Sequence, residues 1–223
     1  MNTWVVIPAY NEGAKLAEVL RGVLEYVPNV VVVDDGSRDN TFEVARGCDV
    51  HVLQHKINRG QGAALATGIE YALRNGAEAI VTFDSDGQHA ADEIEMMLEP
   101  LMTGEAEVVL GSRFLENTHK NMPKLRQIII KGGIVFTKML SRINVTDTHN
   151  GFRALSDRAA REIEINQDRM AHASEILDQV TKKNLRYVER PVTITYTEYS
   201  KAGGQGNLNA IKIAARMILA KLF

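Results

Sequence analysis

The chain has 223 residues, of which 45% are hydrophobic and 24% charged, with a formal net charge of −2. This is the composition of a globular protein with enough apolar material for a real core, and its near-neutral balance offers no basic field to recruit nucleic acid. The single cysteine, Cys48, excludes an internal disulfide and a cysteine-based zinc site, and it fits a reducing, cytoplasmic setting.

The N-terminal Met1-Asn2-Thr3-Trp4-Val5-Val6-Ile7-Pro8 has no basic region ahead of its apolar run and reads as a first strand rather than a signal peptide. Short apolar runs, rich in β-branched residues, then alternate with stretches of helical period. Strands are expected over Trp4–Ile7, Val30–Val33, Val50–Leu53, Ala79–Phe83 and Glu107–Leu110, with helices near 13–26, 39–46, 61–75 and 90–101. Strands apolar on both faces need helices on both sides, so this order implies an α/β fold with a doubly wound, mostly parallel sheet. After Arg113 the rhythm changes. A loop through Met122-Pro123 precedes a helix over about Leu125–Ile143. A mixed segment follows from Asp147 to Ser156, then a helix near Ala173–Lys183, a β-rich stretch from Tyr187 to Tyr196 and a last helix from about Asn209. No Pro/Gly/Ser linker divides the chain. One domain is therefore expected over 1–223, with a nucleotide-binding half at 1–113 and an acceptor half at 114–223. No run approaches the ~18 apolar residues of a membrane span, so the chain reads as soluble or peripheral.

The strongest chemical signal is Thr82-Phe83-Asp84-Ser85-Asp86-Gly87-Gln88. Two carboxylates directly after an apolar strand stand at the edge where open α/β sheets bind ligands. They suit Mg²⁺ or Mn²⁺, which takes one or two carboxylates plus substrate phosphates, and the Gln88 amide offers a further neutral oxygen. An isolated Asp-x-Asp is more often a solvated acidic turn, so the reading depends on its context. Pro8-Ala9-Tyr10-Asn11-Glu12 ends the first strand, where Tyr10 offers a flat face for a nucleobase. Asp34-Asp35-Gly36-Ser37 ends the second; Asp35 is placed to accept from ribose hydroxyls, while Asp39 suits a helix cap. Asn58-Arg59-Gly60-Gln61-Gly62-Ala63-Ala64 looks like a dinucleotide fingerprint, but it follows the third strand instead of the first, which argues against a dehydrogenase. Gly62 and Ala63 instead let a helix pack close to the sheet beside the nucleotide.

Together these segments resemble the family-2 glycosyltransferases, which have the GT-A fold, and among them the polyprenol- and dolichol-phosphate sugar transferases. The likeness runs through Pro8–Glu12, Asp34–Thr41, Asn58–Gly68, Asp84–Gln88, Gly111-Ser112-Arg113 and Asp147–Arg153, nearly the whole chain. It implies an inverting, metal-dependent hexosyltransferase that takes its sugar from a UDP- or GDP-linked donor. By this likeness Pro8, Tyr10, Glu12 and Asp35 contact the nucleoside, with Ser85, Gly62 and Ala63 beside it. Asp84, Asp86 and Gln88 hold the metal against the diphosphate, and Lys201 clamps that diphosphate. The implied acceptor is a polyprenyl phosphate, already a nucleophile, gathered by Arg113, Arg126 and Arg153. Relatives that glycosylate hydroxyls use a carboxylate base, and Glu175 in His172-Ala173-Ser174-Glu175-Ile176-Leu177 is the near match; Ile176 stands where a second acid is expected, which favours a phosphate acceptor. The rivals are a hydroxyl-directed transferase with Glu175 as base, and a nucleotide-sugar-binding module without chemistry. Intact Asp84, Asp86 and Gln88 speak against the module. His149 and His172 read as structural.

Two basic amphipathic helices bear on location. One sets Leu125, Ile128, Ile129 and Phe136 among Arg126, Lys131 and Lys138; the last sets Leu208, Ile211, Ile218 and Leu222 off Lys212, Arg216 and Lys221. Such helices suit peripheral docking on the cytoplasmic face of a membrane, or packing against core or a membrane subunit.

Overall fold

The computed structural model describes residues 1–115, 119–120 and 143–195. Strands β1 (Thr3–Ala9), β2 (Asn29–Asp34) and β4 (Ala79–Thr82) are buried almost throughout, because their alternating side chains enter two separate cores. Trp4, Val6, Val31 and Val33 face one; Val5, Ile7, Val30 and Val32 face the other. The first core is closed by α3 (Gln61–Arg74), α5 (Asp157–Glu162) and α6 (His172–Lys182), through Leu65, Ile69, Ala160, Ile176 and Leu177. The second is closed by α1 (Gly13–Leu24) and α4 (Ile94–Met102), through Leu16, Leu20, Ile94 and Met97. A short α2 (Thr41–Arg46) leads to β3 (His51–Gln54). Beyond α4 come β5 (Val108–Ser112), β6 (His119–Lys120), β7 (Arg153–Ser156), β8 (Tyr187–Pro191) and β9 (Ile194–Thr195).

The main sheet has seven strands in the order β3-β2-β1-β4-β7-β5-β8. All its neighbours pair in parallel except β7, which runs antiparallel to both β4 and β5. A separate parallel pair joins β6 to β9. The α/β sandwich expected from the apolar pattern is present. The segment 147–156 instead contributes a strand that the pattern does not announce: Arg153-Ala154-Leu155-Ser156 is short, and its buried arginine masks the apolar period. The helix expected over Leu125–Ile143, apart from its last residue, and the one expected from Asn209 lie outside the described residues, as do Arg126, Lys201, Lys212, Arg216 and Lys221. Among the described residues no helix is long and apolar enough to cross a membrane.

This topology prepares an opening. From β1 the chain passes to β2 and β3 on one side, and then returns to place β4 on the other. Pairing of β1 with β2 continues to Ala9↔Asp34, whereas pairing with β4 stops at Val6↔Thr82. Pro8, which lacks an N–H, falls beyond that last β4 pair. The strands part at their carboxyl ends, at the topological switch point where such sheets receive ligands.

Candidate active site

The turn leaving β4 is held on several sides. Thr82 Oγ1 donates to the Gly151 carbonyl at 2.6 Å, Phe83 N to Val6 O at 3.0 Å, and Ser85 Oγ to Pro8 O at 2.9 Å. Asp84 is thereby set at the cavity wall, with its two oxygens on side-chain partners: Gln61 Nε2 at 2.8 Å and His89 Nε2 at 3.0 Å. Gly151 lies directly against it; a Cβ there would come 2.6 Å from Asp84 Oδ1. Burial alone would raise the Asp84 carboxyl, but the His89 hydrogen bond and the nearby Arg153 guanidinium hold it below the usual aspartate range. The Asp86 carboxyl is instead pushed up, first by burial and then by the Asp84 charge. Asp86 accepts from Gln88 N at 3.0 Å and from Gln88 Nε2, so the Gln88 amide nitrogen rests on its neighbour's carboxylate.

The cavity at this switch point has a volume of about 1230 Å³. Pro8, Tyr10, Glu12 and Asp35 line one part, Asp84, Ser85, Asp86 and Gln88 the floor, and Arg113 with His149 another side. Tyr10, 40% exposed, and Ile57, 70% exposed, both line the cavity. Asp35 reaches the cavity, but its carboxylate builds the wall: it accepts from Arg59 N at 3.0 Å, Gly60 N at 2.6 Å and His55 Nδ1 at 2.7 Å. Asp39 caps two helices at once, accepting from Thr41 N at 3.0 Å and Gly13 N at 3.1 Å.

Just after β5, Arg113 is buried and donates from Nε to Asp147 at 2.5 Å, with its backbone N on the same oxygen at 3.3 Å. Asp147 is placed by the Thr146 turn, whose amide and hydroxyl both bond Glu189 of β8, at 2.8 and 2.9 Å. Arg153, expected beside an acceptor phosphate, lies on β7, is 3% exposed and is not among the residues that line the cavity. Burial lowers its guanidinium to about 10, against the pull of Asp84 and Asp147, and it acts as the cation beneath both carboxylates.

Three more expected residues stand back from the cavity. Gly62 and Ala63 pack under the loop 166–171, and a Cβ on Gly62 would overlap the Gln167 carbonyl oxygen. Glu175 does not line the cavity either; its carboxylate accepts from the backbone of Asn166 and Gln167. The carboxylate read as a possible base is thus engaged with two backbone amides of the wall loop. His172, buried and bonded to Arg169 O at 2.7 Å, is lowered to about 4 by burial and by Arg153, and stays neutral at pH 7. Sequence reasoning missed Gln61 and His89 as partners of Asp84, and it missed the wall loop 166–171. The glycines at 62 and 151 were the available signal, since each marks a close backbone approach.

The donor set fits a hard divalent cation. Among the described residues no group of three His, Cys, Asp or Glu could hold a metal. Asp84 and Asp86 supply the two carboxylates typical of Mg²⁺ sites completed by substrate phosphates.

Comparisons with known proteins show the family and the shared fold. A family model described as Glycosyl transferase family 2 matches residues 4–164. The chain is 32% identical to UDP-N-acetylglucosamine--dolichyl-phosphate N-acetylglucosaminyltransferase of Methanococcus voltae, over 98% of this chain and 96% of that one. It is 30% identical to polyprenol monophosphomannose synthase of Mycolicibacterium smegmatis, over 99% and 88% respectively. In structure it is similar to glucosyl-3-phosphoglycerate synthase of Mycobacterium tuberculosis, solved with Mg²⁺ and uridine diphosphate. The TM-score is 0.74 at 16% identity, covering 99% of this chain and 78% of that one, and this likeness shows the shared fold.

Proposed function

Because the chain belongs to glycosyl transferase family 2, we propose that it transfers a sugar from a nucleoside-diphosphate sugar to a polyprenyl phosphate, with inversion at the anomeric carbon. The observation that carries this reading is one cavity that joins paired carboxylates, Asp84 and Asp86, to the buried guanidinium of Arg113. The relatives named for dolichyl-phosphate and polyprenol-phosphate transfer support the acceptor class.

The nucleoside lies along the ends of β1 and β2, against Tyr10, Glu12 and the wall that Asp35 fixes. Asp84 and Asp86 would hold a Mg²⁺ or Mn²⁺ ion, which would supply positive charge beside the donor diphosphate. Arg113, its geometry set by Asp147, presents a fork of N–H donors to the acceptor phosphate. An oxygen of that phosphate is already ionised and attacks the anomeric carbon opposite the leaving group, so no general base is needed. Glu175, committed to backbone amides, is consistent with this. By family likeness Lys201 serves the donor diphosphate and Arg126 the acceptor. Docking on a membrane surface brings the enzyme to its lipid.

The test is a panel of UDP- and GDP-sugars offered with undecaprenyl phosphate or with undecaprenol, read by the mass of the lipid product. Transfer to the phosphate and not to the alcohol is expected. Equal transfer to both would contradict the acceptor class.

A further inference from the structure

Glu175 stands in the first turn of α6, where a helix N-terminus favours a carboxylate. Its Oε2 accepts from the backbone N–H groups of both Asn166 and Gln167, each at 3.0 Å. Both bonds are solvent-exposed, and two consecutive amides share the one carboxylate oxygen, a charge-assisted pairing that ties the start of the loop to the helix. These amides open the loop 166–171, which lines the cavity with Asn166, Gln167, Asp168 and Arg169. From the other side the same loop presses on the start of α3. The Gln167 carbonyl occupies the space left by the missing side chain of Gly62. The Asp168 carbonyl accepts from Ala63 N at 3.1 Å, and the Asp168 carboxylate meets Arg59 at 3.2 Å. The loop is gripped between two helix starts, by its amides on α6 and by its carbonyls on α3.

We infer that Glu175 is a positioning residue that clamps the 166–171 loop as a fixed wall of the cavity, and so governs how tightly the nucleoside-diphosphate donor is held. The donor part of this inference rests on the glycosyl-transfer reading; the clamp does not. A Gln at this position keeps an amide oxygen for the two N–H groups, losing only the charge assistance, whereas Ala removes the acceptor.

Hydrogen exchange at the Asn166 and Gln167 amides reads the clamp, and calorimetric binding of UDP and of GDP, each with MnCl₂, reads its consequence. Glu175→Ala is expected to speed exchange at both amides by about tenfold or more and to weaken nucleotide binding by about tenfold. Glu175→Gln is expected to keep most of the protection, most of the transfer and the wild-type pH profile. Should Glu175→Ala prove unstable, Gly62→Ala displaces Gln167 from the opposite side and is expected to expose the same two amides. Unchanged exchange in both Ala variants would overturn the clamp. Protected amides and intact binding in Glu175→Gln, with transfer abolished, would overturn it too and restore Glu175 as a base. If neither nucleotide binds the wild type while the amides respond as expected, the clamp stands and the glycosyl-transfer reading falls.

Discussion

The chain runs an apolar strand into two aspartates and a glycine twice, at Val33-Asp34-Asp35-Gly36 after β2 and at Phe83-Asp84-Ser85-Asp86-Gly87 after β4, and it uses them differently. After β2 the acids are absorbed by the scaffold. Asp34 accepts from Ser37 N and Gln54, and Asp35 from the amides of Arg59 and Gly60 and from His55. After β4 the partners are mainly side chains: Gln61 and His89 for Asp84, Gln88 for Asp86. A side chain can swing away to admit a ligand, whereas a backbone amide yields only if its loop moves. The kind of partner a carboxylate has, more than its place in the motif, separates wall from site.

The largest expected effect comes from the β4 strand end. Asp86→Asn is expected to lower kcat by about 10²-fold or more while the protein stays folded. Circular dichroism together with transfer assays checks both halves, and near-normal activity would move the chemistry elsewhere. Gly151→Ala should follow closely, because its new methyl group is driven against the Asp84 carboxylate; a misplacement of this kind lowers activity by about 10²-fold. Asp35→Asn belongs to the other class. It leaves a buried amide poorly matched to three donors, and urea unfolding should show a loss of about 2 kcal/mol. An equal loss in Asp86→Asn would erase the distinction between the two strand ends.

The smallest effect is one of pH, in chelator. The folded Asp86 carboxyl is raised, by burial and by Asp84, so its contribution to stability is full below about pH 4 and is lost as pH rises through the raised value. Asp84, held down by His89 and Arg153 against its burial, contributes in the opposite sense, above about pH 4, and loses that contribution as pH falls through its lowered value. Asn at position 86 does not titrate. Asp86→Asn should therefore melt about 1–3 °C above wild type at pH 7, with the gap closing toward pH 4. A gap that widens on acidification would contradict the assignment of the raised carboxyl to Asp86.

What could be read from the chain follows the same division. Strands β1, β2 and β4 were legible because both their faces are apolar, and that apolarity exists for helices on both sides. The Asp84–Gln88 turn was legible from its position after β4. Asp35 was read toward a ligand, and nothing local reveals that the amides claiming its carboxylate lie at 59 and 60, brought back by β3 and the turn before α3. Arg153 was read from the family likeness, and its burial depends on β7 being inserted between β4 and β5, a pairing across a large sequence separation that periodicity does not encode. Glu175 was read from the same likeness, and its two amide partners lie in a loop that no local pattern announces.

In the proposed reaction Asp84 and Asp86 work through a divalent cation as sugar moves from a nucleotide to a lipid phosphate. Transfer of labelled sugar from the accepted nucleotide donor to undecaprenyl phosphate tests it most directly, measured in excess EDTA and again after Mg²⁺ or Mn²⁺ is restored. Label is expected in the lipid fraction; it should disappear with chelator, return with either cation, and fail to return in Asp86→Asn. Full transfer in excess chelator would contradict it.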